Sequence, residues 1–221
     1  MAAPFRVGIS GHRLDKLAGV DIARVTVRLG EVLAAIDAAL ARAGAACLLV
    51  SPLAEGIDRL AVDAAPAHWP LVALLPMPRA IYREDFLPAG ADRSPSADAF
   101  DAYLARAASV GELPMLPEQA GLDPRPAQYE ALGHALVRRI DCLLAVWDGS
   151  PPRGPGGTGH VVREASGRGL PVLRIDPAGD CPVRTIVGFQ DGEPEFGPAD
   201  GPDYGMLAER ATRRRMDSGG A

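Results

Sequence analysis

The chain has 221 residues, 48% of them hydrophobic and 23% charged, a composition that excludes disorder and suits one domain with a sizeable core. Its formal net charge of −5 argues against nucleic acid or an anionic membrane as a partner, since the chain as a whole attracts neither. No apolar run approaches the roughly 18 residues of a spanning helix, and the first residues lack the basic and apolar regions of a signal peptide, so the cytoplasm is the expected compartment.

Phe5 to Ser10 predicts a first strand. An amphipathic helix follows, with Ile22, Val25, Leu29, Val32, Leu33, Ile36 and Leu40 at helical spacing between a capping Asp21 and a closing Gly44. "ACLLVS" then reads as a strand, "GIDRLAVDAA" as a helix and "LVALLPM" as a third strand, followed by a short helix from Arg79 to Phe86. Phe100, Tyr103, Leu104 and Ala107 mark another helix, leading to a brief strand from Val110 to Leu113. After a Gly- and Pro-rich stretch, a helix from Gln128 to Arg139 runs into the strand "CLLAVWD", a Gly-rich loop, a helix from Gly157 and the strand "PVLRID".

Alternating strands and helices with near-continuous apolar strands predict an α/β fold: a Rossmann-like three-layer open sheet, mainly parallel, with helices on both faces. The expected division is a Rossmann-like domain over residues 1–176 and an extension rich in Gly, Pro and acid over 177–221, with a short polar helix in "MLAERATRRRM". The first strand, the second strand and "CLLAVWD" are expected side by side, with the loops that follow them lining one cleft.

Ligands of such sheets bind beyond the carboxyl ends of the strands, so those loops hold the candidate residues. They are Ser10, Gly11, His12 and Arg13 after the first strand, Ser51, Glu55 and Gly56 after the second, and Arg79 after the third. After "CLLAVW" come Asp148, Arg153, Gly156, Gly157 and Thr158. Small residues before a helix leave backbone N–H groups free to hold a phosphate.

Several chemistries are excluded. The only lysine, Lys16, precedes Leu17, so the chain has no G-K-[ST] P-loop. "GISGH" puts His12 where a nucleophile elbow needs its second Gly. His12, His68, His134 and His160 are scattered, as are Cys47, Cys142 and Cys181, so neither a metal site nor a resident cofactor is expected. An NAD-dependent oxidoreductase is an alternative, because Asp176 lies 22 positions after Gly154, roughly where a ribose-binding acid belongs.

Taken together the loops resemble a known group. "SPLAEGIDRLA" is similar to the S-G-L-A-x-G-I-D signature of the DNA-processing protein A (Smf) family, with Pro52 in place of its Gly, and "PGGTG" resembles the P-G-G-x-G-T-x-x-E motif of the lonely-guy (LOG) phosphoribohydrolases. Both belong to the SLOG superfamily of Rossmannoid nucleotide-binding domains, and the resemblance spans Val7 to Asp176. It implies a pocket for a nucleotide-type small molecule and a homodimer formed through helices that cover the sheet. It implies further that Glu55 or Asp148 accepts from ribose hydroxyls and that Tyr82 either stacks on a base or packs against the sheet edge. It also implies two alternatives: hydrolysis of a nucleoside monophosphate, or single-stranded DNA binding, which the acidic balance opposes. The LOG catalytic acid aligns with Arg163. Glu164, the candidate catalytic residue, follows it, about 100° further around a helix, so binding or sensing of a nucleotide is expected ahead of hydrolysis.

Overall fold

The computed structural model describes residues 3–117, 123–151, 156–179 and 181–218. In chain order its elements are β1 (Phe5–Gly11), α1 (Ile22–Arg42), β2 (Cys47–Ser51), α2 (Ile57–Ala64), β3 (Leu71–Leu75), α3 (Arg79–Glu84), α4 (Pro95–Arg106) and β4 (Ser109–Glu112). Then come α5 (Arg125–Val137), β5 (Cys142–Val146), α6 (Thr158–Gly167), β6 (Val172–Ile175), β7 (Arg184–Gln190), β8 (Glu193–Phe196) and α7 (Gly205–Ser218).

One sheet takes all eight strands in the order β4-β3-β2-β1-β5-β6-β7-β8. The first six are parallel, whereas β7 and β8 run antiparallel. Helices cover both faces, and the three-layer α/β architecture is the one that the alternation of apolar strands and helical patterns predicts.

Side chains on β5 show how one apolar run serves two cores. Cys142, Leu144 and Val146 pack with Val25, Leu29, Leu33 and Ile36 of α1, while Leu143, Ala145 and Trp147 pack with Leu132, Leu136 and Val161 of α5 and α6. Successive residues point to opposite faces, so a strand covered on both sides has to be apolar throughout. At the start of α1, Asp21 accepts a hydrogen bond from Arg24 N at 3.1 Å, which satisfies one of the open N–H groups of the first turn.

Two features of residues 177–218 were not foreseen. β7 pairs with β6 and continues into β8 as a hairpin whose turn holds Asp191 at φ 51° and Gly192 at φ 88°, the left-handed pair that an Asp-Gly turn supplies. Helix α7 packs on α1 and buries Leu207 and Ala211 in the core. No helix of the described residues is long and apolar enough to cross a membrane.

Candidate functional site

The strand order reverses direction between β1 and β5: the chain builds outward from β1 through β2, β3 and β4, then returns to β5 on the other side. Loops leaving adjacent strands toward opposite faces part at such a point and leave a crevice beyond the strand ends. A cleft of about 410 Å³ lies there. Ser10, Gly11, His12 and Arg13 enter it from the end of β1, and Gly156, Gly157 and Thr158 from the start of α6.

The α6 end is open. Gly157 is its N-cap, no side chain among the described residues caps the first turn, and no acidic residue lies within it, so N–H groups and the positive end of the helix dipole are offered to an anion. Gly156 holds a φ of 75°, and a Cβ there would lie 2.5 Å from the carbonyl carbon of Tyr129. The Gly-rich segment thus runs against the backbone of α5, which only a residue without a side chain permits.

Arg13 and Lys16 bring positive charge to the same cleft. Arg13 Nη2 donates to Tyr129 Oη at 3.0 Å, Tyr129 donates to Asp85, and Arg125 Nε donates to Asp85 at 2.6 Å. This chain of bonds fixes the Arg13 fork at the cleft wall. Burial, together with the hydrogen bond to Asp85, pushes the Tyr129 phenol up to about 12, so it remains a donor at neutral pH. His12 Nε2 lies 3.4 Å from Asp148 Oδ1 but makes no hydrogen bond among the described residues. Burial works against ionised Asp148, yet hydrogen bonding from Ser150, together with the nearness of the His12 imidazole, holds its carboxyl below the ordinary value.

The loop between β2 and α2 is built inward. Leu53 adopts a φ of 60°, a conformation that apolar residues rarely take and that needs support. Leu53 N donates to Ser51 Oγ at 3.1 Å, Ala54 N to Asp58 Oδ2 at 3.2 Å, and Arg59 Nε to the Leu53 carbonyl at 3.1 Å. Ser51 is fully buried within this network, and Gly56 is the N-cap of α2. What this loop presents to the cleft is Pro52, Ala54 and Asp58. Asp58 is 4% exposed, and burial pushes its carboxyl up to about 7, against the opposing pull of the Ala54 N–H, Arg13 and Arg59.

Other sequence candidates lie elsewhere. Glu55 does not line the cleft, and Arg79 pairs with Glu112 of β4 at 2.5 Å. Arg153 falls outside the described residues. Glu164 points away from the cleft to His134. Asp176 accepts from Arg174 Nη2 at 2.7 Å and from Ala178 N at 3.0 Å. Tyr82 packs among Phe86, Phe100 and Tyr129 and still reaches the cleft, where its buried hydroxyl has no hydrogen-bond partner among the described residues.

Sequence reasoning missed Asp58, Tyr129 and Gln128. Gln128 is fully buried; it donates to the carbonyls of Pro76 and Pro114 and accepts from Leu116 N at 3.0 Å, which ties the start of α5 to the ends of β3 and β4. The available signal for Gln128 was an amide in the first turn of a helix beside an otherwise apolar stripe.

No family model matches the chain, and no curated protein does. Among solved structures it is similar to DNA processing protein A of Streptococcus pneumoniae, at 16% identity and a TM-score of 0.48, over 80% of this chain and 54% of that one. It is also similar to DNA processing protein A of Helicobacter pylori, whose structure is described by its single-stranded DNA binding mode, at 16% identity and a TM-score of 0.45, over 77% of this chain and 65% of that one. This chain therefore spans less than two thirds of either, and what it shares with them is the fold. One expectation is corrected here. Acidic net charge was taken to argue against nucleic acid as a partner, yet the matched proteins include one described by its binding of single-stranded DNA; whole-chain charge is a poor guide when a local cluster of cations and N–H groups meets the phosphates.

Proposed function

We propose that the cleft binds a phosphate-bearing nucleotide, with the phosphate at the start of α6 and the sugar and base along the wall formed by Pro52, Ala54, Leu132 and Val161. The observation that carries this reading is the uncapped, acid-free first turn of α6 opening into the same cleft as Arg13 and Lys16. Anions are favoured at such helix ends, and a guanidinium adds a fork suited to phosphate oxygens. Binding is favoured over hydrolysis, because Glu164 is engaged by His134 outside the cleft, the carboxyl that does line the cleft, Asp58, is buried and taken up by the Ala54 N–H, and cleavage of a glycosidic bond needs a carboxylate held at the reacting carbon.

Thermal shift and calorimetry over adenosine, nucleoside monophosphates, ADP-ribose, NAD and a short oligothymidylate test it. A nucleotide at saturation is expected to raise the melting temperature by several degrees while the nucleoside does not, since ligand binding to the folded state stabilises it by mass action. No shift with any phosphate-bearing nucleotide overturns the reading, and a response to the oligonucleotide alone replaces it with strand binding. Release of free base from a monophosphate, followed by chromatography and abolished by Glu164→Gln, would establish hydrolysis instead.

A further inference from the structure

We propose that the groove between α5 and α6 is a site for a divalent transition-metal ion such as zinc, ligated by Glu130, His134 and His160, with Glu164 orienting His134. Glu130 and His134 are four residues apart on α5, and His160 and Glu164 four apart on α6, so each helix turns one carboxylate and one imidazole to the same side. The helices approach closely at Gly133, where a Cβ would come within 3.1 Å of Val161 Cγ2.

The ligand atoms of Glu130, His134 and His160 all lie within 4.8 Å of one another, and the two imidazole rings meet edge to face with centroids 5.4 Å apart. Zinc bonds of about 2.0 to 2.2 Å set neighbouring ligand atoms about 3.3 Å apart. The three partly exposed side chains would have to close in by no more than about 1.5 Å to bind an ion. Among the described residues the Glu130 carboxylate and the His160 ring have no hydrogen-bond or ion-pair partner, so a structural ion pair accounts for neither.

His134 is already posed as a ligand. Its Nδ1 donates to Glu164 Oε2 at 2.6 Å, and Arg168 approaches the other carboxylate oxygen at 3.9 Å. With Nδ1 engaged, Nε2 is left to bind the ion; a carboxylate behind the imidazole fixes the tautomer and raises ligand basicity, as in known metal sites. Three protein ligands suit a borderline cation with one or more positions open to water, and the carboxylate-imidazole set favours a transition metal over calcium. The site lies beside the nucleotide cleft without sharing residues with it: Glu130 follows Tyr129, and His160 stands two positions after Thr158.

The test uses the whole untagged chain, stripped with chelator and titrated without nucleotide, so that its outcome is independent of the cleft. Calorimetry with Zn²⁺ should give one ion per chain, and Co²⁺ should give visible ligand-field bands with no thiolate charge-transfer band. His134→Ala and His160→Ala are each expected to weaken Zn²⁺ binding at least tenfold. Glu164→Gln should weaken it about 10- to 100-fold while leaving the stoichiometry at one. Circular dichroism reports whether each variant folds; Glu130→Gln, at a partly exposed carboxylate, serves where a histidine variant does not. Absence of binding at micromolar Zn²⁺, affinity unchanged in the folded variants, or a cobalt-thiolate band assigning the ion to the exposed Cys181 would each overturn the proposal.

Discussion

Asp58 keeps its proton to about pH 7 in the folded chain, against 3.8 for the free side chain. Between those values the folded state binds a proton that the unfolded state has released, so the contribution of Asp58 to stability is complete below about pH 4 and is lost as pH rises through 7. Urea denaturation across this range should show wild-type stability falling relative to Asp58→Asn up to about pH 7 and level above it; parallel profiles would place the group's titration elsewhere. A second residue tests the phosphate site proposed at α6. Gly157→Asp puts bulk and negative charge at the N-cap of α6, where an anion would sit, and is expected to abolish nucleotide affinity with little change in the melting temperature of the free protein. Affinity retained in that variant would remove the phosphate from α6. Neither role of Asp58 was legible in the sequence, where an Asp in the first turn of a helix reads as a favourable partner for the dipole; its burial arises from the inward turn at Leu53.

Among the elements, the contact between the Gly156 segment and α5 constrains the cleft closely. Gly156→Ala places a methyl group 2.5 Å from the Tyr129 backbone at a φ of 75°, and it should lower stability by about 1–3 kcal/mol and weaken any ligand held at α6; an unchanged denaturation midpoint would show that the loop gives way freely. The parallel strands and α1 were legible because burial on both faces makes a strand apolar throughout, and burial on one stripe gives a helix its period. Convergence of the loops after β1 and β5 followed from the same alternation. The β7–β8 hairpin was hidden: Arg184, Glu193 and Glu195 interrupt its apolar pattern, and the composition of residues 177–221 reads as an extension. Asp191-Gly192 was the available turn signal. A cation site on four side chains of α5 and α6 is invisible in the linear spacing because each helix supplies only half of it.

At the scale of the molecule, two cores share one sheet, and the segment from β7 to α7 closes both. Leu207 of α7 is fully buried against the α1 side, while Ile186 of β7 joins the α5–α6 side. Asp141, 4% exposed, receives Arg6 from β1 and Arg214 from α7, pinning the last helix to the foot of the sheet. Leu207→Ala is expected to lose about 2–5 kcal/mol, the range for a buried leucine whose site relaxes only in part, measured by chemical denaturation; a loss below about 1 kcal/mol would make α7 peripheral. The hairpin also sets what one edge of the sheet offers to another copy. Its outermost strand, β8, carries Glu193, Pro194 and Glu195, so an approaching copy meets like charges and a residue with no N–H to offer. Cut after Asp176, the chain would instead present β6, whose Val172–Ile175 are buried in the intact protein, as an open apolar template for further strands. Light scattering during incubation at 37 °C should then rise for the truncated chain and stay flat for the full one, and a rise retained when only β7 and β8 are removed would mark the hairpin, rather than the cover of α7 on α1, as the guard against self-templated aggregation.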